Sequence, residues 1–127
     1  MPVIVYSRGS AGETYEIALD QTGSETGRIA IRSWKPGRPR SAPPDSADVY
    51  NLTHVRAKDA GTLVCKADLP FVPDVFDPVV ICRLDRNLGE TPLVRIEVAG
   101  KSYAYPLVPA DFQSLASFIQ AARFPHA

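Results

Sequence analysis

Apolar and polar residues alternate along most of the chain's extended runs, and this period of two residues constrains the fold more than any other feature. In the run TYEIALD at 14–20, the alternation puts Tyr15, Ile17 and Leu19 on one face of a strand. Comparable runs, each bounded by Gly, Pro, Asp or Asn, occupy 3–8, 28–34, 48–57, 62–69 and 79–86. The segment 93–107 is predicted to be a hairpin that folds at 99–101.

The last part of the chain changes to the period of a helix. Its apolar side chains fall on one helix face, at Phe112, Leu115, Ala116, Ile119 and Ala122. Pro109 suits the first turn, Asp111 suits the positive end of the helix dipole, and Arg123 suits the negative end. We therefore predict a helix at 109–123.

The order of these elements predicts the fold class. No helix is predicted between two strands, and parallel strands need crossover connections of that kind, so the strands are expected to pair antiparallel. We predict an α+β, mainly antiparallel protein: a barrel or two-sheet roll of about seven to eight strands, with one C-terminal helix covering an open end or face. In the order of its elements the chain resembles a pleckstrin-homology-like barrel, and the resemblance implies that the helix plugs one end.

Length and charge limit the number of domains and the kinds of partner. We treat 1–127 as a single domain with one core, in which the Pro-rich segments 35–47 and 70–78 are long loops. The 14 Lys and Arg residues balance 14 Asp and Glu residues, so no overall field draws the chain onto nucleic acid or anionic lipid. The sequence has no basic leader and no apolar stretch that could span a membrane. With only two Cys, these features predict a cytoplasmic protein.

Few residues in the chain are suited to catalysis or metal binding. His54, Cys65, Cys82 and His126 are far apart and contain no close pair such as C-x-x-C. We expect Cys65 and Cys82 to be core thiols at inward strand positions, with a disulfide and a metal site as alternatives. His54 is placed on the strand face of Leu52, and a Cys65–His54 dyad is a further alternative. We predict no catalytic residue, no metal site, no cofactor and no enzymatic activity.

The stretch from 28 to 40 is basic and contains the chain's only Trp. Its candidate binding residues are Arg28, Arg32, Trp34, Lys35, Arg38 and Arg40, with no acidic residue among them. Alternation puts Arg28, Arg32 and Trp34 on a common outward face. Guanidinium groups pair with phosphates and Trp stacks on bases, so the stretch suits single-stranded nucleic acid. A protein-binding site and a solvated loop, with the Trp covering the sheet edge under Arg stems, are the alternatives.

The segment 70–78 has the opposite character. It combines the aromatic residues Phe71 and Phe76 with the acidic residues Asp74 and Asp77. The Phe side chains either fold onto the core or are presented to a partner. An acidic, aromatic loop also complements the basic loop, within one molecule or between two copies.

These observations lead to a ranked set of functions. We predict a non-enzymatic binding module or accessory subunit that contacts a protein partner, or another copy of itself, through the two loops. Binding of single-stranded nucleic acid by 28–40 is the first alternative. Binding of anionic lipid or of a small ligand at a barrel mouth is the second, and it is suggested by the fold alone.

Overall fold

A computed structural model describes residues 2–59, 61–67, 79–85, 91–98 and 101–122. Its strands are β1 (Val3–Arg8), β2 (Thr14–Gln21), β3 (Gly27–Trp34), β4 (Ser46–Asp59), β5 (Thr62–Ala67), β6 (Val79–Asp85), β7 (Leu93–Val98) and β8 (Lys101–Pro106), followed by the helix α1 (Pro109–Ala121). Each strand lies where the alternation predicts one. The last two residues of the predicted run 62–69 lie outside the described residues.

All eight strands form one antiparallel sheet, in which each strand pairs with the next along the chain. The predicted α+β class and the C-terminal helix are therefore confirmed. β1 and β8 come close to each other, but in the part of the chain that is described no ladder joins them. The sheet curls without closing, so the predicted barrel describes it only loosely.

The inner face of the curled sheet holds the hydrophobic core. Leu19 of β2 lies opposite Ile29 of β3, and both side chains are buried. On β5, Leu63 and Cys65 are buried, as the alternation predicts. Burying one large apolar side chain contributes about 1.5–3 kcal/mol. Because a slip of one residue would turn a whole strand's apolar set to solvent, this face fixes the register.

β4 is interrupted by an irregularity that the sequence did not predict. Leu52 is buried in its first half, whereas Val55 and Ala57 are buried in its second half. His54 between them has a φ of 54°, in the left-handed region, and the pairing with β5 shifts there. His54 is thus the extra residue of a β-bulge. The expectation that His54 continues the face of Leu52 is wrong, because the bulge moves the alternation by one position.

The helix α1 packs against the core and covers the exposed edge of β1. Leu115 and Ile119 are buried on its inner side. Pro109 occupies the first turn, as predicted, and the helix ends at Ala121 rather than at 123. The Asp111 carboxylate Oδ2 accepts a hydrogen bond of 3.2 Å from the backbone N–H of Tyr6 in β1. One amide of the unpaired strand edge is therefore satisfied by the helix.

The two cysteines are neighbouring core thiols that are not joined by a disulfide. Leu63 lies opposite Cys82, and Cys65 is two residues further along β5, so the thiols are diagonal neighbours on the inner face. Burial raises the pKa of each thiol to about 12. Of the alternatives for this pair, the core thiols are observed. His54, by contrast, is exposed.

Candidate functional site

The predicted basic residues of β3 lie on the outer face of the sheet. Arg28 and Arg32 are exposed, and the Arg32 guanidinium makes a 3.0 Å ion pair with Glu16 on the adjacent strand. No ion pair joins Arg28 to another residue within the described ranges. An exposed pair such as Arg32–Glu16 contributes little to stability, about 0.2–1 kcal/mol.

Trp34 is on the same face by alternation but is only 3% exposed. The segment 35–45 that follows β3 folds over the indole, and the Trp34 Nε1–H donates a 2.8 Å hydrogen bond to the carbonyl oxygen of Ala42. The ring therefore offers no free face on which a nucleic-acid base can stack. The indole thus lies beneath the segment 35–45 on an inner strand of the sheet, whereas the alternative placed it at the sheet edge under Arg stems.

The side chains of Arg38 and Arg40 contact Asp45 and β1, respectively, whereas Lys35 is bonded through its backbone. Asp45 accepts a 2.7 Å hydrogen bond from the backbone N–H of Lys35 and makes a 3.2 Å ion pair with Arg38. The Arg40 guanidinium carbon lies 4.0 Å from the centre of the Tyr6 ring, which is cation–π geometry. Because β2 separates β1 from β3 in the sheet, the loop reaches across a full strand to make this contact.

The second predicted binding loop lies outside the described residues. Its candidate residues are Phe71, Asp74, Phe76 and Asp77. The predicted complementarity between the two loops therefore stays a prediction.

A different feature dominates the inner face. At the end of the sheet where β1 ends and β2 begins, a cleft of about 620 Å³ opens between β1–β4 on one side and β8 on the other. Its lining includes four tyrosines, at Tyr15, Tyr50, Tyr103 and Tyr105, and five serines, at Ser7, Ser10, Ser33, Ser46 and Ser102. Volumes of about 300–1,000 Å³ are typical of small-molecule sites. α1 extends towards the opposite end, where Phe118 and Ala121 lie beside the β2–β3 turn.

Strand register explains why polar side chains collect at this mouth. Ser7, Tyr15, Ser33 and Ser46 form one continuous cross-strand row through β1 to β4. The next inner row, one step deeper along the strands, contains the apolar residues Val5, Ile17 and Ile31 and ends at Asp48 on β4. On β1, β2 and β3 the inner face thus changes from apolar core to hydroxyl-rich cleft within two residues.

Aromatic rings form the wall on the side of β8. The Tyr15 and Tyr105 rings are tilted by 58° with centroids 5.2 Å apart, and the Tyr103 and Tyr105 rings are stacked with centroids 6.4 Å apart. Tyr105 is 8% exposed. Three rings from two strands that do not pair with each other therefore meet across the opening of the sheet.

Several polar groups in the cleft lack a protein partner. The Ser7 Oγ is buried without a hydrogen bond, alone in this respect among the described side chains. The Asp48 carboxylate makes no hydrogen bond or ion pair with a described residue. The hydroxyl of Tyr15 donates to Glu13 Oε1 at 3.5 Å, at the limit of hydrogen bonding. Because the Ser7 Oγ is buried, its missing partner costs about 1–3 kcal/mol, and this group favours occupation of the cleft, whereas Asp48 is exposed to solvent.

The environment of the cleft keeps its phenols protonated. Burial, and then the negative charges near it, raise the pKa of Tyr105 to about 12. Burial followed by the Asp48 carboxylate raises the pKa of Tyr50. Burial followed by Glu13 raises the pKa of Tyr15. At neutral pH these hydroxyls are neutral groups that both donate and accept hydrogen bonds.

The sequence predicts a strand face for Tyr15 and a hairpin for the segment that contains Tyr103 and Tyr105, but neither prediction indicates a site. The signal was present in the inward positions near the strand ends, where Ser7 and Ser33 replace the apolar residues of the core. What alternation alone does not provide is the curl of the sheet, which brings its edge strands β1 and β8 close to each other.

No protein-family model, curated protein or solved structure matches the chain. Within the described ranges, no three His, Cys, Asp or Glu side chains are grouped closely enough to hold a metal ion. A helix of the length and apolar character needed to cross a membrane is also absent from the described part of the chain.

Proposed function

We propose that this protein binds a small organic molecule in the cleft at the open end of its curled sheet. The observation that carries the proposal is a cavity of about 620 Å³ whose walls combine aromatic rings with hydroxyl and carboxylate groups that have no protein partner. Ligand sites have this composition, because apolar and aromatic walls supply affinity while a few polar groups fix orientation.

The lining of the cleft differs from that of an empty cavity in a hydrophobic core. Empty cavities in proteins are lined by apolar groups, whereas a polar cavity takes up water or a ligand. Ser7, Ser33 and Asp48 point to an occupant that forms hydrogen bonds, and the rings of Tyr103 and Tyr105 point to one with an apolar or flat surface. Water released from such a site by a ligand with matching groups favours binding.

The test is an NMR titration of the full chain with a fragment library of neutral, cationic and anionic compounds. We expect fragments to shift the ring resonances of Tyr50, Tyr103 and Tyr105. Ser46→Trp, which places a bulky ring at the mouth, should abolish these shifts. Ala47→Trp on the outer face of the same strand is the matched control and should preserve them. The proposal is wrong if no fragment shifts the tyrosine resonances at millimolar concentration.

A second function, the docking of an acidic protein partner, is supported by the outer face of the sheet. Ile4 and Val49 are 45% and 53% exposed there, in one cross-strand row with Ala18 and Ala30. Arg28 is beside this row without an ion pair to any described residue. An apolar strip flanked by Arg28 and Arg32, with Asp20 and Glu16 opposite them on β2, suits a partner that is apolar and supplies a carboxylate to Arg28.

This second function predicts a crosslink at Val49. A photoreactive amino acid at Val49, introduced in the native cells, should capture a protein with an acidic surface, while one at Ser24 should not. The purified partner should bind the wild type in a salt-dependent manner and bind Val49→Asp more weakly. A partner that is basic, or that binds Val49→Asp equally well, would contradict it.

A further inference from the structure

We infer that the ligand of the cleft is an organic cation of the ammonium class, held by the tyrosine rings with Asp48 as its counter-ion. This inference rests on the proposed function, since it specifies the occupant of the same cleft. It is carried by three features: the ring geometry, the carboxylate without a partner, and the charge balance of the lining.

The ring geometry supplies π faces at one point of the cleft. Tyr103 and Tyr105 are nearly parallel, with an interplanar angle of 14°, and Tyr15 is inclined to Tyr105 by 58°. Tyr105 is buried against these two neighbours, whereas Tyr103 is 41% exposed and offers ring surface at the opening between β1 and β8. A cation on the face of an aromatic ring gains about 0.5–2 kcal/mol from its quadrupole, more where water is excluded.

The carboxylate of Asp48 supplies the opposite charge. Asp48 occupies an inner-face position on β4, opposite Ile31 of β3, and lines the cleft as an exposed residue. Tyr50 and Tyr105 line the same cleft. No described cation neutralises it. A carboxylate left without a partner beside aromatic rings is complementary to a ligand that is both apolar and positively charged.

The charge balance of the lining favours the same class. Glu13 and Asp48 contribute two negative charges, and Arg8 contributes one positive charge, so the cleft carries one excess negative charge at neutral pH. Glu13 is placed at the rim by the turn 9–12, in which Gly12 adopts a left-handed φ of 89°. An anionic ligand would meet two carboxylates, and a neutral ligand would leave the Asp48 charge unpaired.

The experiment compares choline with 3,3-dimethyl-1-butanol, which has the same shape but a carbon atom in place of the charged nitrogen. Both are titrated into the isotopically labelled full chain, and the shifts of the tyrosine rings are followed. We expect choline to bind about tenfold more tightly than the alcohol, which corresponds to about 1.4 kcal/mol. Benzenesulfonate, as an anionic aromatic probe, should bind more weakly than either compound.

The variant Asp48→Asn tests whether the affinity for choline depends on the charge of the Asp48 side chain or only on its shape. It keeps the size of the side chain and should reduce the affinity for choline to that for the alcohol, while the affinity for the alcohol changes by less than about twofold. Asp20→Asn is the matched control, because Asp20 is on the opposite face of the sheet by alternation. It should leave both affinities unchanged.

The outcomes for the two proposals are distinct. If the alcohol or the sulfonate binds in the cleft as tightly as choline, the ligand is not a cation and the inference is wrong, while binding of a small molecule in the cleft stands. If choline does not bind but neutral or anionic fragments of the library do, the inference is again wrong and the proposed function again stands. If no compound of any charge shifts the tyrosine rings, the inference and the proposed function are both wrong.

Discussion

The indole Nε1 of Trp34 and the carbonyl oxygen of Ala42 are joined by a hydrogen bond of 2.8 Å. Through this bond the Pro-rich segment after β3 closes over the largest side chain of the basic stretch. The segment 35–45 is therefore folded back over the buried Trp34, and is not an extended arm.

Replacement of Trp34 by Phe should loosen this cover. Trp34→Phe keeps an aromatic ring but removes the donor to Ala42, and we expect a loss of about 1 kcal/mol in the free energy of unfolding. The measurement is urea denaturation followed by circular dichroism. Arg38→Gln, which removes only an exposed ion pair with Asp45, is the control and should cost less than about 0.5 kcal/mol. A Trp34→Phe variant as stable as the wild type would contradict the burial of Trp34 beneath the segment 35–45.

Because His54 has a left-handed φ, we expect two substitutions at this position to have different effects on stability. His54→Val should destabilise the protein by about 1–2 kcal/mol, because a β-branched residue is strained in this conformation. His54→Gly should be at least as stable as the wild type to within about 0.5 kcal/mol, since Gly adopts this φ freely. Thr53→Val, one residue earlier in ordinary strand conformation, is the control. Equal effects of Val at 53 and 54 would refute the bulge.

The raised pKa of Tyr105 predicts a loss of stability in alkali. The phenol ionises near its usual pKa of 10.0 in the unfolded chain and at about 12 in the folded protein. The contribution of the neutral phenol is complete below pH 10 and disappears as the pH rises to about 12, because only the unfolded state releases the proton in this interval. Urea denaturation at a series of pH values measures the effect, and Tyr105→Phe should lose less stability over the same interval.

The buried thiols should resist alkylation at neutral pH. With the pKa of Cys65 and Cys82 raised from 9.0 to about 12, the thiolate fraction is lower by roughly a thousandfold than in an exposed cysteine. Reaction with iodoacetamide should therefore be slow in the native protein and fast in urea. Cys82→Ala leaves Cys65 as the single thiol to be followed. Rapid native-state labelling of Cys65 would show that β5 is accessible.

The strands, the helix and most of the inner face could be predicted from the sequence, because the period of apolar residues depends on local geometry alone. Ile17, Leu19 and Leu63 are buried where the alternation places them. The β-bulge could not be predicted, because one extra residue in β4 leaves the amino-acid composition and the alternation of the other strands unchanged. Trp34 was assigned to the correct face, but its burial depends on a loop whose path alternation does not specify.

The cleft was beyond sequence reasoning for a different reason. Its walls come from residues far apart in the chain, with Ser7 and Tyr15 on one side and Tyr103 and Tyr105 on the other. Their meeting depends on how strongly eight strands curl, and this is a property of the assembled sheet. The sequence did indicate a ligand site at a barrel mouth, but only by analogy of fold.

The bond between Asp111 and the edge amide of Tyr6 joins residues 105 positions apart. β1 is made on the ribosome long before α1, so the nascent chain passes through a period in which its first strand has no cover on that side. During this interval the open edge can pair with the β1 of a neighbouring polysome-bound chain. Slow translation of the segment between β1 and α1 should therefore lower the soluble yield. Synonymous codons that speed the translation of this segment should raise the yield.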